Sequence, residues 1–369
     1  MYSNDDRIIL TLDAGGTNFV FKAIQACKQI GTQVILPSHS SDLKQCIGSI
    51  MNGFRSLIGG LPQKAVAISF AFPGPADYTN GVIGDLPNFS AFRGGVALKA
   101  ILEYEFQLPV FINNDGNLFA YGEAVSGALQ EINRALLTVG SKRQYRNLLG
   151  LTLGTGLGSG VVVSGHLLTG DNGCGGDLWC SAHHQQPDLI VEEAISARAV
   201  CRRYSELSGI TDLNLQSHDI YGIAEAIVPG DRQAAIDSFS ALGTALGFTI
   251  AETLNIIDGI VVIGGGLSGA HKYLMPALMA AIRRPRYTED GREFPRTQTQ
   301  VYNLMDEREQ HVFLNDESVI ITQKKTFKTV SYDAVKKTGV IITSRDTSHS
   351  VAIGAYNLAL TELDIKKPY

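Results

Sequence analysis

Arg7-Ile8-Ile9-Leu10-Thr11-Leu12-Asp13-Ala14-Gly15-Gly16-Thr17-Asn18 carries an apolar strand into a glycine turn, and a second strand-like run, Phe19–Ala26, follows directly. A P-loop or a dinucleotide-binding fingerprint needs a helix straight after its glycines. Here the order is strand, turn, strand. Such a hairpin can close around phosphate with its own backbone N–H groups. An ordinary glycine-rich turn is the alternative for this segment by itself.

The same order returns in Leu149-Gly150-Leu151-Thr152-Leu153-Gly154-Thr155-Gly156-Leu157-Gly158-Ser159-Gly160-Val161-Val162-Val163. Leu10-Thr11-Leu12-Asp13 and Leu151-Thr152-Leu153-Gly154 lead into their turns alike, so both halves of the chain begin with one supersecondary unit. Two such halves would set two phosphate cradles across one cleft.

Between them lies Pro109-Val110-Phe111-Ile112-Asn113-Asn114-Asp115-Gly116-Asn117, a short buried strand ending in two amides and a carboxylate ahead of a helix-like segment. A carboxylate at the carboxyl end of a strand lies where open α/β sheets form their ligand crevice. Alternatively Asn114 or Asp115 only caps the helix, a position both residue types favour.

A length of 369 residues predicts two domains, or one with large insertions. With 44% apolar and 18% charged residues and 39 glycines, the composition is that of an ordinary soluble globular protein with many tight turns. The net charge of −5 gives no basic face for nucleic acid. The start, Met1-Tyr2-Ser3-Asn4-Asp5-Asp6-Arg7, is unlike a signal peptide, and no uninterrupted apolar run approaches bilayer length. Cysteines at 27, 46, 174, 180 and 201 are odd in number, which argues against a disulfide framework and for a reducing cytoplasm.

Other elements follow from periodicity. A third strand is expected around Gln33–Leu36 and a buried strand at Lys64–Phe72. Ser41–Ile58 is an amphipathic helix with Ser41 or Asp42 as cap, and Leu98–Phe106 is a second helix. Glu131–Asn147 is a polar, helix-like domain junction whose basic cluster, Lys142-Arg143-Gln144-Tyr145-Arg146, reads as a solvated face. Asp188–Leu207 and Asp231–Leu254 read as long helices. Gly259–Ile263 is a strand, followed by Gly264-Gly265-Gly266-Leu267-Ser268-Gly269 and a helix at His271–Ile282. These glycines fit G-x-G-x-x-G, but after two phosphate-type hairpins they fit better as the receiver of another part of a nucleotide. Arg283–Thr338 is polar and irregular, with short strands at Gln310–Leu314 and Val319–Gln323. The terminal helix, Ser350–Leu363, is expected to pack back on the first domain.

Taken together, Leu12-Asp13-Ala14-Gly15-Gly16-Thr17-Asn18, Pro73-Gly74-Pro75 with Gly81-Val82-Ile83 and Pro87-Asn88, Asn114-Asp115-Gly116-Asn117 with Gly122-Glu123, Leu153–Gly160, and Gly264–Gly266 resemble the ROK family of sugar kinases and sugar-responsive repressors. The resemblance runs from about Ile8 to Ile282 and resumes at the terminal helix. It implies an α/β, two-domain actin-like (ribonuclease-H-like) ATPase fold with a nucleotide and sugar cleft between the domains. The domains would be residues 1–130 with the C-terminal helix 350–369, and residues 131–349 with an extra polar segment at 283–338.

For the site, the resemblance implies ATP-dependent phosphoryl transfer to a hexose or hexose derivative. Such transfer rests on positioning and charge stabilisation, with a carboxylate taking the hydroxyl proton. Asp115 would be that base. Gly15, Gly16, Thr17 and Asn18 would hold the β- and γ-phosphates, and Asp13 would place Mg²⁺ directly or through water. Gly154, Thr155 and Gly156 would face the phosphates, and Gly264, Gly265 and Gly266 the adenosine. Gly74, Asn88, Asn114, Asp177, Cys180 and Glu192 would lie on the sugar side. A cytoplasmic homodimer without nucleic-acid or membrane partners is the expected setting. Only about six residues precede the first strand, so no helix-turn-helix is expected ahead of it.

One stretch departs from the family. Gly173-Cys174-Gly175-Gly176-Asp177-Leu178-Trp179-Cys180 puts Asp177 in place of a sugar-binding Glu and Cys180 in place of a His that binds sugar and zinc. The zinc loop is missing, and Ser181–Val191 leads straight to Glu192. Cys174, Cys180, His183 and His184 match no standard zinc spacing, so the expectation is a buried Cys pair beside surface histidines and no structural zinc; a different metal site at these four residues is the alternative. Trp179 could wall a sugar face or fill a core. The altered pocket also leaves open a non-catalytic sugar-binding regulator and, more remotely, an actin-like ATPase with a different acceptor.

Overall fold

The computed structural model describes residues 2–15, 17–74, 76–84, 90–210, 214–323 and 328–365. Gly16, Pro75, Pro87 and Asn88 lie outside the described residues. Contacts divide the chain into two compact units, residues 1–130, 159–176 and 344–369 in one, residues 131–158 and 177–343 in the other.

Strands β1 (Ile8–Ala14), β2 (Asn18–Gln25), β3 (Lys28–Pro37), β4 (Ala65–Ala71) and β5 (Val110–Asn113) form the first sheet, in the order β3-β2-β1-β4-β5. β1, β2 and β3 are joined antiparallel as hairpins, whereas β4 runs parallel to β1, and β5 to β4. β1 is apolar at nearly every position because both faces are covered. On one face Leu10, Leu12 and Phe21 meet Ile50, Phe54 and Leu57 of α1 (Leu43–Gly59) and Leu98 and Leu102 of α2 (Leu98–Phe106). Asp42 caps α1 by accepting the Gln45 N–H at 3.0 Å. Removing the Phe54 ring from this layer would cost about 3–5 kcal/mol.

On the other face Ile9, Ala67 and Phe111 pack on Ile353, Tyr356 and Leu360 of the terminal helix. That helix is α10 (Thr347–Ile365), and it crosses α3 (Asp115–Val125) through two glycines. A Cβ on Gly122 would stand 2.0 Å from the Ser350 carbonyl oxygen, and one on Gly354 1.9 Å from that of Leu118. Close backbone approach there needs glycine.

The second sheet repeats the plan. Strands β6 (Leu148–Leu153), β7 (Leu157–Val163), β8 (His166–Leu167), β9 (Ile260–Gly264), β10 (Gln300–Asn303) and β11 (Lys337–Ile342) lie in the order β8-β7-β6-β9-β11-β10. Leaving β10 aside, both sheets have the order third, second, first, fourth, fifth, so the recurrence of strand, turn and strand in sequence is a recurrence of topology. Helices α4 (Ala128–Thr138), α5 (Ala197–Ser208), α6 (Ser217–Ala224), α7 (Arg232–Ile257), α8 (His271–Arg283) and α9 (Glu307–Leu314) complete the described helices. α7 is long and apolar enough to cross a membrane, but most of it is buried within the protein, as in a core helix. Its Gly243 and Gly247 lie directly against backbone carbonyls of α8.

Several expectations are corrected. Asp188–Leu207 is one 3-10 turn, Val191–Glu193, and then α5, because Ser196 is extended and caps α5 through the Ala199 N–H. Gln310–Leu314 belongs to α9 instead of a strand. Asp306 accepts the Arg308 and Glu309 N–H groups at 3.0 Å each and starts a helix that buries only Phe313. The 283–338 segment is no mere elaboration, since it supplies β10 and the start of β11 to the sheet. Arg143 is not simply solvated; it donates to the carbonyl oxygens of Phe313 at 2.6 Å and Leu314 at 3.1 Å. Cys174 and Cys180 are exposed, not a buried pair, and Trp179 is 39% exposed, so it fills no core.

Candidate active site

β1, β4 and β5 end together. Their register aligns Asp13 with Ala71 and Ala71 with Asn113. Asp13 and Asn113 thus share one row two strands apart, roughly 10 Å by strand spacing. Carboxyl ends of parallel strands are where α/β sheets take ligands.

Beyond Asn113 the chain turns into α3, and the capping question resolves on geometry. Asn114 is the extended cap residue, and its Oδ1 accepts the Gly116 N–H at 2.8 Å. Asn113 Oδ1 braces the turn by accepting the Asn114 N–H at 2.8 Å and an Asn117 Nδ2 hydrogen at 3.0 Å. Asp115 is the first helical residue. Its Oδ1 shares the Gly116 N–H at 2.9 Å, and its Oδ2 has no hydrogen bond among the described residues. A Cβ on Gly116 would stand 2.5 Å from the backbone N and O of Ser159, so the start of α3 lies directly on β7.

Asp115 is exposed at the surface, although protein is dense around its carboxyl group. That desolvation, joined by the negative charge of Asp13, raises the carboxyl pKa above its ordinary value, against the lowering effect of the Gly116 N–H. A raised pKa makes a stronger base.

Asp13, half-buried at the end of β1, accepts the Ser348 hydroxyl hydrogen on Oδ2. Its Oδ1 has no hydrogen bond among the described residues. Gly15 shapes the turn that follows, since a Cβ there would meet the Asn18 carbonyl oxygen at 2.8 Å, and Thr17 and Asn18 are exposed. On another side of the strand ends, a Cβ on Gly74 would be 3.5 Å from Asn114 Nδ2 and 2.6 Å from the Tyr78 hydroxyl, which donates to the Phe72 carbonyl oxygen at 3.0 Å.

The second glycine hairpin, in the other unit, is built around Glu192. Gly154 N–H donates to the Gly156 carbonyl oxygen at 3.1 Å, with Thr155 exposed at the tip. Glu192 Oε2 accepts the Leu157 N–H at 3.0 Å, and a Cβ on Gly156 would lie 2.3 Å from that oxygen. Glu192 Oε1 pairs with Arg198 at 2.9 Å. Gly264 ends β9 opposite Thr152, and Gly265, at φ +87°, puts its backbone against Leu153, where a Cβ would be 2.4 Å from the carbonyl oxygen. Both glycine turns of this unit therefore meet at the ends of β6 and β9. Among the described residues nothing lies within 4 Å of a Cβ built on Gly154 or Gly266, which leaves room beside each.

Asp177 is half-buried and Cys180 exposed. Sequence reasoning missed Ser348 and Arg198; a hydroxyl in a helix far along the chain leaves no local signal. No group of three or more His, Cys, Asp or Glu suited to a metal ion occurs among the described residues.

Residues 9–298 match the profile of the ROK family. The glucokinase of Halalkalibacterium halodurans is 28% identical over 320 residues, covering 78% of this chain and 90% of that one. A crystal structure of glucokinase from Parabacteroides distasonis is 50% identical, with a TM-score of 0.88 and coverage of 98% of this chain and 99% of that one. A ROK family glucokinase from Streptomyces griseus, solved with glucose and AMPPNP, is 17% identical at a TM-score of 0.60, covering 96% and 99%; it bears on the fold alone.

Proposed function

The chain belongs to the ROK family, and on that premise we propose that it is an ATP-dependent hexose kinase of the glucokinase kind, with Asp115 as general base. The observation that carries this reading is the pair of carboxylates at the ends of parallel strands, Asp115 with a free oxygen and a raised pKa, and Asp13 beside the glycine hairpin.

Asp115 takes the proton of the sugar hydroxyl as its oxygen attacks the γ-phosphorus, and ADP leaves. Asn114 orients the sugar beside Gly74, with Asn88, Asp177, Cys180 and Glu192 as further sugar-side residues. Gly15, Gly16, Thr17 and Asn18 hold the β- and γ-phosphates with backbone N–H groups, joined by Gly154–Gly156, while Gly264–Gly266 receive the adenosine. Bound Mg²⁺ would offset phosphate charge, and the oxygen donors fit it: magnesium takes one or two carboxylates plus phosphates, and Asp13 offers Oδ1. The setting is a cytoplasmic homodimer.

An ATP-coupled assay across hexoses, amino sugars and N-acetylated sugars tests the reading. Turnover of one or more hexoses is expected; no turnover on any of them by folded protein would overturn it. A non-catalytic sugar-binding regulator is less supported, because proteins matched over most of their length carry the name glucokinase.

A further inference from the structure

The loop from Trp179 to Glu192 is closed by its own backbone. His183 N–H donates to the Leu189 carbonyl oxygen at 2.8 Å, Val191 N–H to that of Ser181 at 2.7 Å, and Glu192 N–H to that of Trp179 at 3.3 Å. One leg leaves from Cys180, and the other ends at Glu192, so what fixes the tip fixes both.

A stack of rings holds that tip. The His183 and His184 rings lie 4.8 Å apart, 24° from parallel, and His184 lies on Phe248 of α7 at 5.1 Å and 21°. The Arg296 guanidinium covers the Phe248 ring at 4.7 Å. Arg296 is itself tied down, donating to the Arg284 carbonyl oxygen at 3.2 Å and pairing with Glu252 at 3.4 Å. His183 Nδ1 accepts the Gln185 and Gln186 N–H groups at 3.1 Å each, which sets its ring and its tautomer. His184 Nδ1, by contrast, is buried with no hydrogen-bond partner among the described residues. A ring gripped by its faces while its buried nitrogen stays unpaired is placed for packing.

We propose that the stack His183–His184–Phe248–Arg296 clamps this loop to α7 and so positions Glu192, and with it the hexose. His184 is a positioning residue, and the sugar-side part of the proposal rests on the kinase reading above. The sequence supplies a reporter, since the single tryptophan, Trp179, stands in the clamped loop.

The test compares His184→Ala with His184→Phe, which keeps the stacked face and removes the nitrogens. His184→Ala is expected to make Trp179 more accessible to acrylamide quenching and to raise the hexose KM about tenfold. His184→Phe is expected to restore both. Phe248→Leu serves as a second stack-breaking variant should His184→Ala not fold, with the same expected changes. Wild-type quenching in folded His184→Ala, or altered quenching with an unchanged hexose KM, would overturn the proposal. Absence of hexose turnover by the wild-type protein would overturn the kinase reading instead, and Trp179 quenching would still decide whether the stack clamps the loop.

Discussion

Ser348, in the first turn of the last helix, donates its hydroxyl hydrogen to Asp13 Oδ2, joining residues 335 positions apart. The bond restrains the carboxylate and leaves Oδ1 without a hydrogen bond among the described residues, the oxygen that would face Mg²⁺ in the proposed kinase. Ser348→Ala is therefore expected to raise the Mg²⁺ concentration needed for half-maximal activity several-fold, with little change in melting temperature, and Ser348→Thr to restore it. Calorimetric titration of Mg²⁺-ADP should show the same order of affinities. Unchanged magnesium dependence in Ser348→Ala would count against Asp13 as the metal-side carboxylate.

Gly116 sets the position of Asp115 through packing. A Cβ there would stand 2.5 Å from the backbone of Ser159, which cannot give way as a flexible side chain can. Gly116→Ala should cost about 1–3 kcal/mol by overpacking and push the start of α3 away from β7. Thermal unfolding would read the stability loss, and a fall in kcat would read the displacement of Asp115.

The raised pKa of Asp115 has two consequences of opposite sign. Activity needs the ionised base, so kcat/KM should fall on the acid side with an apparent pKa above that of an ordinary carboxylate. Stability runs the other way. A folded pKa above the unfolded one contributes stability that is full below the unfolded value and is lost as pH rises through the folded value. Asp115→Asn does not titrate, so its stability advantage over the wild-type protein should be larger at pH 7 than at pH 4. Urea unfolding of both proteins at the two pH values checks the sign.

Lys337 tests the assignment of the 283–338 segment to structure. Its side chain is fully buried, and Nζ donates to the carbonyl oxygens of Val312 at 3.0 Å and Asn315 at 2.8 Å, at the C-terminal end of α9. Cations suit that end of a helix. Lys337→Met should lose ~1.5–3 kcal/mol by taking the donor from the Val312 carbonyl oxygen and leaving Asn315 only its Arg143 bond, while the hexose KM stays as in the wild-type protein. A changed KM with normal stability would instead tie this segment to substrate.

What was legible in the sequence follows from how local each signal is. The strand, turn and strand of Arg7–Ala26 and its recurrence at Leu149–Val163 are written in consecutive residues, and each is an antiparallel pair in its sheet, whereas the placing of the later strands depends on crossovers that no local signal encodes. β10 and β11 are short and sit among polar and charged residues, and only register, β11 against β9 and β10 against β11, shows them to belong to the sheet. α9 carries no helical periodicity over Gln310–Leu314, because only Phe313 is buried there. The Asn114-Asp115 pair was visible, but the division of labour within it was not. Which side chain takes the Gly116 N–H depends on the extended backbone at Asn114. Ser348 and the His184–Phe248 contact join positions remote in the chain, and no local pattern encodes them.

The most direct test of Asp115 as general base is steady-state kinetics of Asp115→Asn with the best hexose substrate and Mg²⁺-ATP. Asparagine keeps the shape and removes the proton acceptor. A fall in kcat of about 10²–10⁴-fold is expected, with the KM values for sugar and ATP changing little. An Asp115→Asn protein that turns over hexose at the wild-type rate would contradict the assignment.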